Sequence, residues 1–258
     1  MSHHEITDVL VERGRRLFDG PPNFIEFTKV READELLNDL TLHPHAFVLA
    51  CVMDRQIRAE KAWLIPFRFA QKLGTFDFSR LATLTLDETR ELMTKPEPLH
   101  RYTEEMSKNF HAAVVVLRQK YAGDAAKMWA DCPSSADVVY RFLELRGVGP
   151  KIATMAANIL AREFKIPFRD FYSIDVSADV HVRRVFGRLR LINEGDSLEA
   201  VVYRARALHP EFPGLLDYPA WEIGRRWCRP QAPLCGECYM RDLCPRSASI
   251  EQPPTVAG

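Results

Sequence analysis

Four cysteines near the C-terminus constrain this chain most, because they follow the spacing C-x6-C-x2-C-x5-C within 17 residues. Four thiolates this close together are typical of tetrahedral zinc or of a 4Fe-4S cluster. Zinc sites usually separate two C-x2-C pairs by a dozen or more residues, whereas one such pair is flanked here by single cysteines. The spacing therefore favours a 4Fe-4S cluster over zinc. The predicted ligands are Cys228, Cys235, Cys238 and Cys244.

Two disulfides are the remaining interpretation of these cysteines, and they require an oxidising compartment. The N-terminal sequence MSHHEITDVL has no apolar segment of the secretory kind. No apolar run reaches the roughly 18 residues needed to cross a bilayer. We therefore expect an intracellular protein with no membrane partner, and we expect the other two thiols, Cys51 and Cys132, to pack in the core.

Apolar residues recur at helical spacing along nearly the whole chain, and no alternating strand pattern is evident. Residues suited to cap helices precede several of the helical segments. The predicted caps are Ser134 or Ser135, Ser177, Asp196 and Asp217. The sequence predicts an all-α protein, and its 258 residues are enough for one or two domains.

The net charge is zero, but the charges are unevenly distributed. Residues 141–258 hold 17 Lys and Arg against 14 Asp and Glu, which leaves 18 against 21 for residues 1–140. Arginines cluster in HVRRVFGRLR and EIGRRWCRP. Such clusters are commonly just solvated faces, and these matter because they adjoin the other motifs.

The segment LRGVGPK connects two helical patterns through Gly147, Val148 and Gly149. Two glycines in this spacing permit a tight turn with positive φ and leave amide N–H groups exposed at a helix start. Pro150 fits the first helical position, where its missing N–H is not needed. The turn is suited to bind a phosphate, although a plain helix–helix connection gives the same pattern.

Three motifs in this order resemble the endonuclease III superfamily of helix-hairpin-helix DNA glycosylases. LELRGVGPKIATMAANIL resembles the hairpin, DVHVRRVFGRL resembles the catalytic-aspartate segment, and the cysteines resemble the cluster loop. Together they cover roughly residues 140–245, while the first 130 residues match only in helical character. The connection KIPFRDFYSIDVSA is longer than usual for the family.

The resemblance implies an all-α, two-lobed helix-hairpin-helix DNA glycosylase fold. One lobe is a helical barrel of residues 36–161 that ends in the hairpin. The other is the iron-sulfur cluster domain, made of residues 1–35 and 162–258. DNA is expected in the cleft between the two lobes.

The resemblance also implies the catalytic residues Lys151 and Asp179, with Asp175 as the rival to Asp179. A carboxylate stabilises the positive charge that develops on the sugar when a glycosidic bond breaks. An amine must be neutral to attack C1′, so burial and the helix N-terminus are expected to lower the pKa of Lys151. Alternatively, Lys151 contacts a phosphate and Asp179 only caps a helix.

A base inside a duplex is reached by flipping it out of the stack and filling the gap with side chains. By resemblance, the wedge side chain lies among Met53, Asp54, Arg55 and Gln56. A second loop, PLHRYTEE, offers Leu99, His100, Arg101 and Tyr102 to the opposite strand. Either loop can instead be a solvated turn.

The remaining predicted DNA contacts are Gly147, Val148, Gly149, Arg183 and Arg229. The aromatic residues Trp63, Phe67 and Phe69 are expected in the core rather than in a base pocket.

The function expected from the resemblance is that of a DNA glycosylase with AP lyase activity in base-excision repair, with oxidised pyrimidines as the first substrate class. One alternative is a monofunctional mismatch glycosylase for adenine, uracil or thymine. Another is a non-catalytic DNA-binding module with a structural cluster. The expected cofactor is a 4Fe-4S cluster, and the expected partner is double-stranded DNA with a damaged or mismatched base. A monomer in the cytoplasm, associated with the nucleoid, is expected.

Overall fold

The structure, a computed structural model, describes residues 3–246, which form α-helices, short 3-10 turns and no β-strand. The all-α prediction is confirmed. The α-helices are α1 (His3–Asp19), α2 (Arg31–Asn38), α3 (Pro44–Met53), α4 (Ala59–Trp63), α5 (Ile65–Leu73), α6 (Phe78–Leu81), α7 (Leu86–Thr94), α8 (Thr103–Tyr121), α9 (Ser135–Leu143), α10 (Pro150–Arg162), α11 (Val180–Arg188), α12 (Leu198–Leu208) and α13 (Asp217–Arg226). The 3-10 turns are Ala125–Met128, Pro213–Leu216, Cys235–Glu237 and Arg241–Leu243. Among these helices none is both long and apolar enough to pass through a bilayer.

The helix caps agree only in part with the sequence predictions. The Ser134 hydroxyl accepts the Asp137 N–H, and the Asp137 carboxylate accepts the Ser134 N–H, so α9 begins with a reciprocal capping box. The cap of α12 is Ser197 rather than Asp196, one residue later than predicted.

The caps predicted at Ser177 and Asp217 are wrong, because these two residues bond to each other. The Asp217 carboxylate accepts the Ser177 N–H at 2.7 Å. Asp217 is itself the first residue of α13, and Asp179 rather than Ser177 caps α11. Ser177 and Asp217 thus form a hydrogen bond between residues 40 apart in sequence.

The chain forms two compact units. The continuous unit comprises residues 22–157, and the discontinuous unit comprises residues 3–21 together with 158–246. The lobe boundaries expected from the sequence, near residues 36 and 161, stay a prediction, because compactness by itself does not define a functional lobe.

The continuous unit is built around α3, in which every residue is buried. A helix that is apolar on all sides must be surrounded by other elements, and α2, α5 and α8 pack against it. Phe69 stacks on Phe110 with ring centroids 4.5 Å apart, and Trp63 stacks on Phe27 at 4.3 Å. The core assignment of Trp63 and Phe69 is therefore confirmed.

The two isolated cysteines differ in their surroundings. Cys51 is buried in α3, as expected, and burial raises the pKa of its thiol. Cys132 is exposed, so its core assignment is wrong. The reason is the backbone, since Asp131 and Cys132 are both left-handed, with φ of 64° and 48°. This turn before α9 directs the Cys132 side chain away from the core.

The discontinuous unit packs α1, α11, α12 and α13 around a second apolar core that includes Leu10, Val185, Phe186 and Ile223. Helices α11 and α13 approach closely, because a Cβ on Gly224 would lie 2.8 Å from the His181 Cβ. This contact places the start of α11 against α13.

Candidate active site and cluster loop

The hairpin turn between α9 and α10 depends on one of its two glycines more than the other. Gly147 has a φ of 85°, and a Cβ there would collide with the Asn109 side-chain amide. Gly149 is outside the left-handed region, and a Cβ on it would meet nothing within 4 Å. Only Gly147 therefore has the positive φ expected of both. Gly149 leaves an open backbone face immediately before the N–H groups of α10.

Side chains from two other segments hold this turn in place. Asn109 on α8 is fully buried, and its Oδ1 accepts the Arg146 Nε–H at 3.1 Å. The Arg55 Nη1 lies 3.1 Å from the position of a Cβ on Gly147. The hairpin turn, helix α8 and the loop after α3 thus form one assembly within the continuous unit.

The two loops predicted to enter DNA are joined by His100, which the sequence offered to the opposite strand and which is buried instead. His100 is 3% exposed, and its Nδ1 accepts the Tyr102 N–H at 3.0 Å. Its Nε2 therefore carries the proton and donates it to the Arg55 carbonyl oxygen at 3.0 Å. Burial lowers the pKa of His100, which keeps the ring neutral and both bonds intact.

The four wedge candidates differ in exposure. Met53 is completely buried, so its side chain presents no surface to DNA. Asp54 and Arg55 are partly buried, and Gln56 is exposed with a φ of 54°. The Gln56 side-chain oxygen accepts a hydrogen bond from Arg101 at 3.4 Å, which joins the tips of the two loops.

Lys151 lies at the second position of α10 with an exposed side chain. The burial expected of its amine is therefore absent in the free protein. Burial raises the pKa of Asp54, and the positive charge of Lys151 opposes that shift. Lys151 and Asp54 are thus electrostatic neighbours, one at the start of α10 and the other at the end of α3.

Asp179 caps α11, and its Oδ1 accepts the N–H groups of His181 at 2.7 Å and Val182 at 2.8 Å. The side chain is partly exposed. The rival, Asp175, is buried and accepts two hydrogen bonds from Arg206, both at 2.7 Å. A carboxylate held by a bidentate arginine is poorly placed to meet a substrate. Asp179 belongs to the discontinuous unit and Lys151 to the continuous unit, so their convergence stays a prediction.

The four cysteines of the C-terminal motif line one cavity together with Val185, Arg188, Ile223, Trp227 and Met240. Its empty volume is about 360 Å³, part of which is open to solvent. Within residues 3–246 no group of three or more His, Cys, Asp or Glu is arranged so that it could hold a metal ion. The four cysteines nevertheless border one common space.

Two arginines of α11 hold the cysteine loop. The Arg188 guanidinium donates to the carbonyl oxygens of Arg229 at 2.6 Å and Pro230 at 3.0 Å, and to the Cys228 Sγ at 3.2 Å. Arg184 donates to the Cys228 carbonyl oxygen at 2.7 Å. These side chains are used within the fold, whereas Arg183 and Arg229, the two predicted DNA contacts, are exposed. In the sequence, the i,i+4 spacing of Arg184 and Arg188 was the signal that could have indicated their shared contact with the cysteine loop.

Comparison with known proteins adds sequence relatives and structural neighbours. No protein-family model matches the chain. Endonuclease III of Thermotoga maritima is 30% identical over 129 residues, a match that covers 50% of this chain and 51% of that protein. The match thus spans about half the length of this curated relative.

Two solved structures share the fold over nearly the whole chain. A trapped endonuclease III–DNA covalent intermediate superimposes with a TM-score of 0.61 and 18% identity, covering 98% of this chain and all of the other. A thermostable thymine-DNA glycosylase gives a TM-score of 0.60 at 16% identity, covering 95% of this chain and 98% of the other. The fold class expected from the sequence is confirmed. The sequence relative and the ordered motifs resemble the endonuclease III superfamily of helix-hairpin-helix DNA glycosylases, and the two structural neighbours share this chain's fold.

Proposed function

We propose that this protein is a DNA glycosylase with AP lyase activity that excises damaged bases in base-excision repair, with oxidised pyrimidines as its first substrate class. The observation that carries the proposal is the position of Lys151, an exposed amine directly after the hairpin turn and beside Asp54. A phosphate bound at the hairpin would bring the sugar of a flipped nucleotide toward this amine. The partner is double-stranded DNA, and the protein acts on it as a monomer in the nucleoid-associated cytoplasm.

In the proposed reaction, the neutral Lys151 amine attacks C1′ of the flipped nucleotide while the C1′–N bond breaks and its electron pair leaves with the base. The Asp179 carboxylate stabilises the positive charge that develops on the sugar. Loss of a proton from the attacking nitrogen and opening of the sugar ring give a Schiff base. Removal of a C2′ proton then expels the 3′ phosphate and cuts the strand.

The DNA contacts proposed for this reaction come from three segments of the continuous unit. The amide groups around Gly147, Val148 and Gly149 bind a backbone phosphate. Exposed Gln56 fills the gap left by the flipped base, and Arg101 faces the opposite strand. In the discontinuous unit, the exposed guanidinium groups of Arg183 and Arg229 contact phosphates.

A 4Fe-4S cluster bound by Cys228, Cys235, Cys238 and Cys244 is part of the proposal. Four soft sulfur donors around one cavity fit this group. When bound, the cluster supplies a structural crosslink of the loop. The chain's own residues, Arg184 and Arg188, hold the same loop against α11.

Borohydride trapping on a duplex with one abasic site tests the central step. We expect the wild-type protein to form a covalent adduct with the DNA, and Lys151→Ala to reduce adduct formation by about a thousandfold or more, because the nucleophile is removed. Lys61→Ala, which removes another exposed lysine of the continuous unit, is the matched control and should leave the adduct yield unchanged.

Other outcomes of the same experiment point to the alternatives. Base release from a mismatched duplex without any adduct would indicate a monofunctional glycosylase. Binding of duplex DNA with neither adduct nor base release would indicate a non-catalytic module. A full adduct yield from Lys151→Ala would show that another amine is the nucleophile.

A further inference from the structure

A carboxyl group outside the proposed reaction lies directly behind the Asp179 segment. Asp217, the first residue of α13, is partly buried, and its Oδ1 accepts the Ser177 N–H at 2.7 Å. Ser177 is two residues before Asp179, whose own carboxylate is fixed by the first two N–H groups of α11. The short segment between Ser177 and Val182 is therefore held by one carboxylate at each end.

The charged groups around Asp217 are Arg162 on α10 and Asp179 at the start of α11. Burial raises the pKa of the Asp217 carboxyl to about 6, and the charge of Asp179 adds to the shift, while Arg162 and the Ser177 N–H oppose it. Arg162 is largely committed elsewhere, since it bonds to Glu163 at 2.8 Å and lies 4.9 Å from the Tyr218 ring centroid. The charge of Asp179 thus acts on the Asp217 carboxyl group.

We propose that Asp217 is a positioning residue for Asp179, which fixes the preceding turn through Ser177 and strengthens the negative potential at Asp179 when it is ionised. The role rests on the proposed function. Because ionised Asp217 adds a second negative charge behind the first, it further stabilises the positive transition state of glycosidic cleavage. The effect on the rate is on the order of threefold to tenfold, since one pKa unit of coupling corresponds to tenfold.

The sign of the pH dependence follows from this arrangement. Below pH 6 Asp217 is protonated, and Asp179 acts alone. Above pH 6 Asp217 is ionised, so the rate of base release rises through this pH and then levels.

Single-turnover base release from a duplex with one oxidised pyrimidine, measured from pH 5 to 8, tests the role. Asp217→Asn retains an oxygen that accepts the Ser177 N–H but carries no charge. We expect it to match the wild-type rate at pH 5 and to fall three- to tenfold behind at pH 7.5, on the order of one unit of coupling. Asp217→Ala, which also loses the hydrogen bond, should be slower at every pH. Glu211→Gln removes an exposed acid of the same unit and should follow the wild-type profile.

A second measurement does not depend on activity. Carboxyl NMR of the full chain should show Asp217 titrating near pH 6, and Asp179→Asn should lower that midpoint by removing the neighbouring charge. An Asp217 midpoint unaffected by Asp179→Asn, or parallel pH profiles for wild type and Asp217→Asn, would overturn the inference. If the wild-type protein released no base from any duplex, the proposed function would fail, and the NMR titration would still decide whether the two carboxyl groups are coupled.

Discussion

At the scale of single residues, the hairpin shows that two identical amino acids two positions apart have different tasks. Gly147 is required by the backbone, because its φ is 85° and the Asn109 amide occupies the place of a Cβ. Gly149 has neither constraint, and the space before it is open. The fold therefore does not require a glycine at position 149, and the missing side chain instead leaves room for a ligand to approach the turn.

Substitution of each glycine by alanine should separate the two tasks. We expect Gly147→Ala to lower the free energy of unfolding by about 2–3 kcal/mol, from the left-handed backbone and the collision with Asn109. Gly149→Ala should change it by less than about 1 kcal/mol. Urea denaturation at neutral pH measures both values. Equal destabilisation by the two variants would contradict this account of the turn.

At the scale of elements, helix α1 is joined to helix α13 by an ion pair in which only the carboxylate is buried. Glu222 on α13 is 1% exposed and accepts two hydrogen bonds from Arg13 on α1, at 2.9 and 3.1 Å. Arg226 lies 3.2 Å from the same carboxylate. Because a buried carboxylate needs its partners, Arg13 contributes to closing the discontinuous unit.

Loss of Arg13 removes two hydrogen bonds and one positive charge from the buried Glu222 carboxylate, which keeps Arg226 as a neighbour. We expect Arg13→Ala to destabilise the protein by about 1–3 kcal/mol, less than for a fully buried pair because Arg13 is partly exposed and Arg226 remains. Arg16→Ala on the same helix removes only an exposed pair with Glu12, so its effect should stay within about 0.5 kcal/mol. Chemical denaturation compares the two variants, and indistinguishable midpoints would refute the role of Arg13.

At the scale of the whole molecule, residues 158–246 belong to the same compact unit as residues 3–21. Residues 3–21 pack with α11, α12 and α13, and the cysteine loop lies against α11 and α13. A group that crosslinks this loop therefore stabilises the same unit in which Asp179 caps α11. For this reason we expect metal content and stability to change together.

Metal analysis of the purified protein tests the proposed cluster. We expect about four iron atoms per chain and a brown colour with absorbance near ~400 nm. Cys238→Ser should lose most of the iron and lower the thermal midpoint, because the cysteine loop loses its crosslink. Cys132→Ser, at an exposed thiol in the other unit, should keep both. A colourless protein with one zinc per chain would contradict the iron assignment and favour the tetrahedral alternative.

The sequence alone determined the features that depend on local spacing. Helical periodicity predicted an all-α chain, and LRGVGPK predicted a turn into a helix beginning at Pro150. The cysteine spacing predicted a set of metal ligands. The helix and turn predictions are confirmed because hydrogen bonding in a helix and proline at its first position act within a few residues, while the cysteine ligand set stays a prediction.

Only the tertiary structure decided which polar residues form hydrogen bonds with residues far away in the sequence. His100 joins two loops through a carbonyl 45 residues away, Asp217 bonds to Ser177 rather than capping its own helix, and Cys132 faces solvent because of a left-handed turn. Nothing in the local sequence marks these roles, since a histidine, aspartate or cysteine bonds to whatever group the packing of remote elements brings within 3 Å. The local pattern fixes where helices begin, and the burial of their apolar faces fixes which side chains then meet.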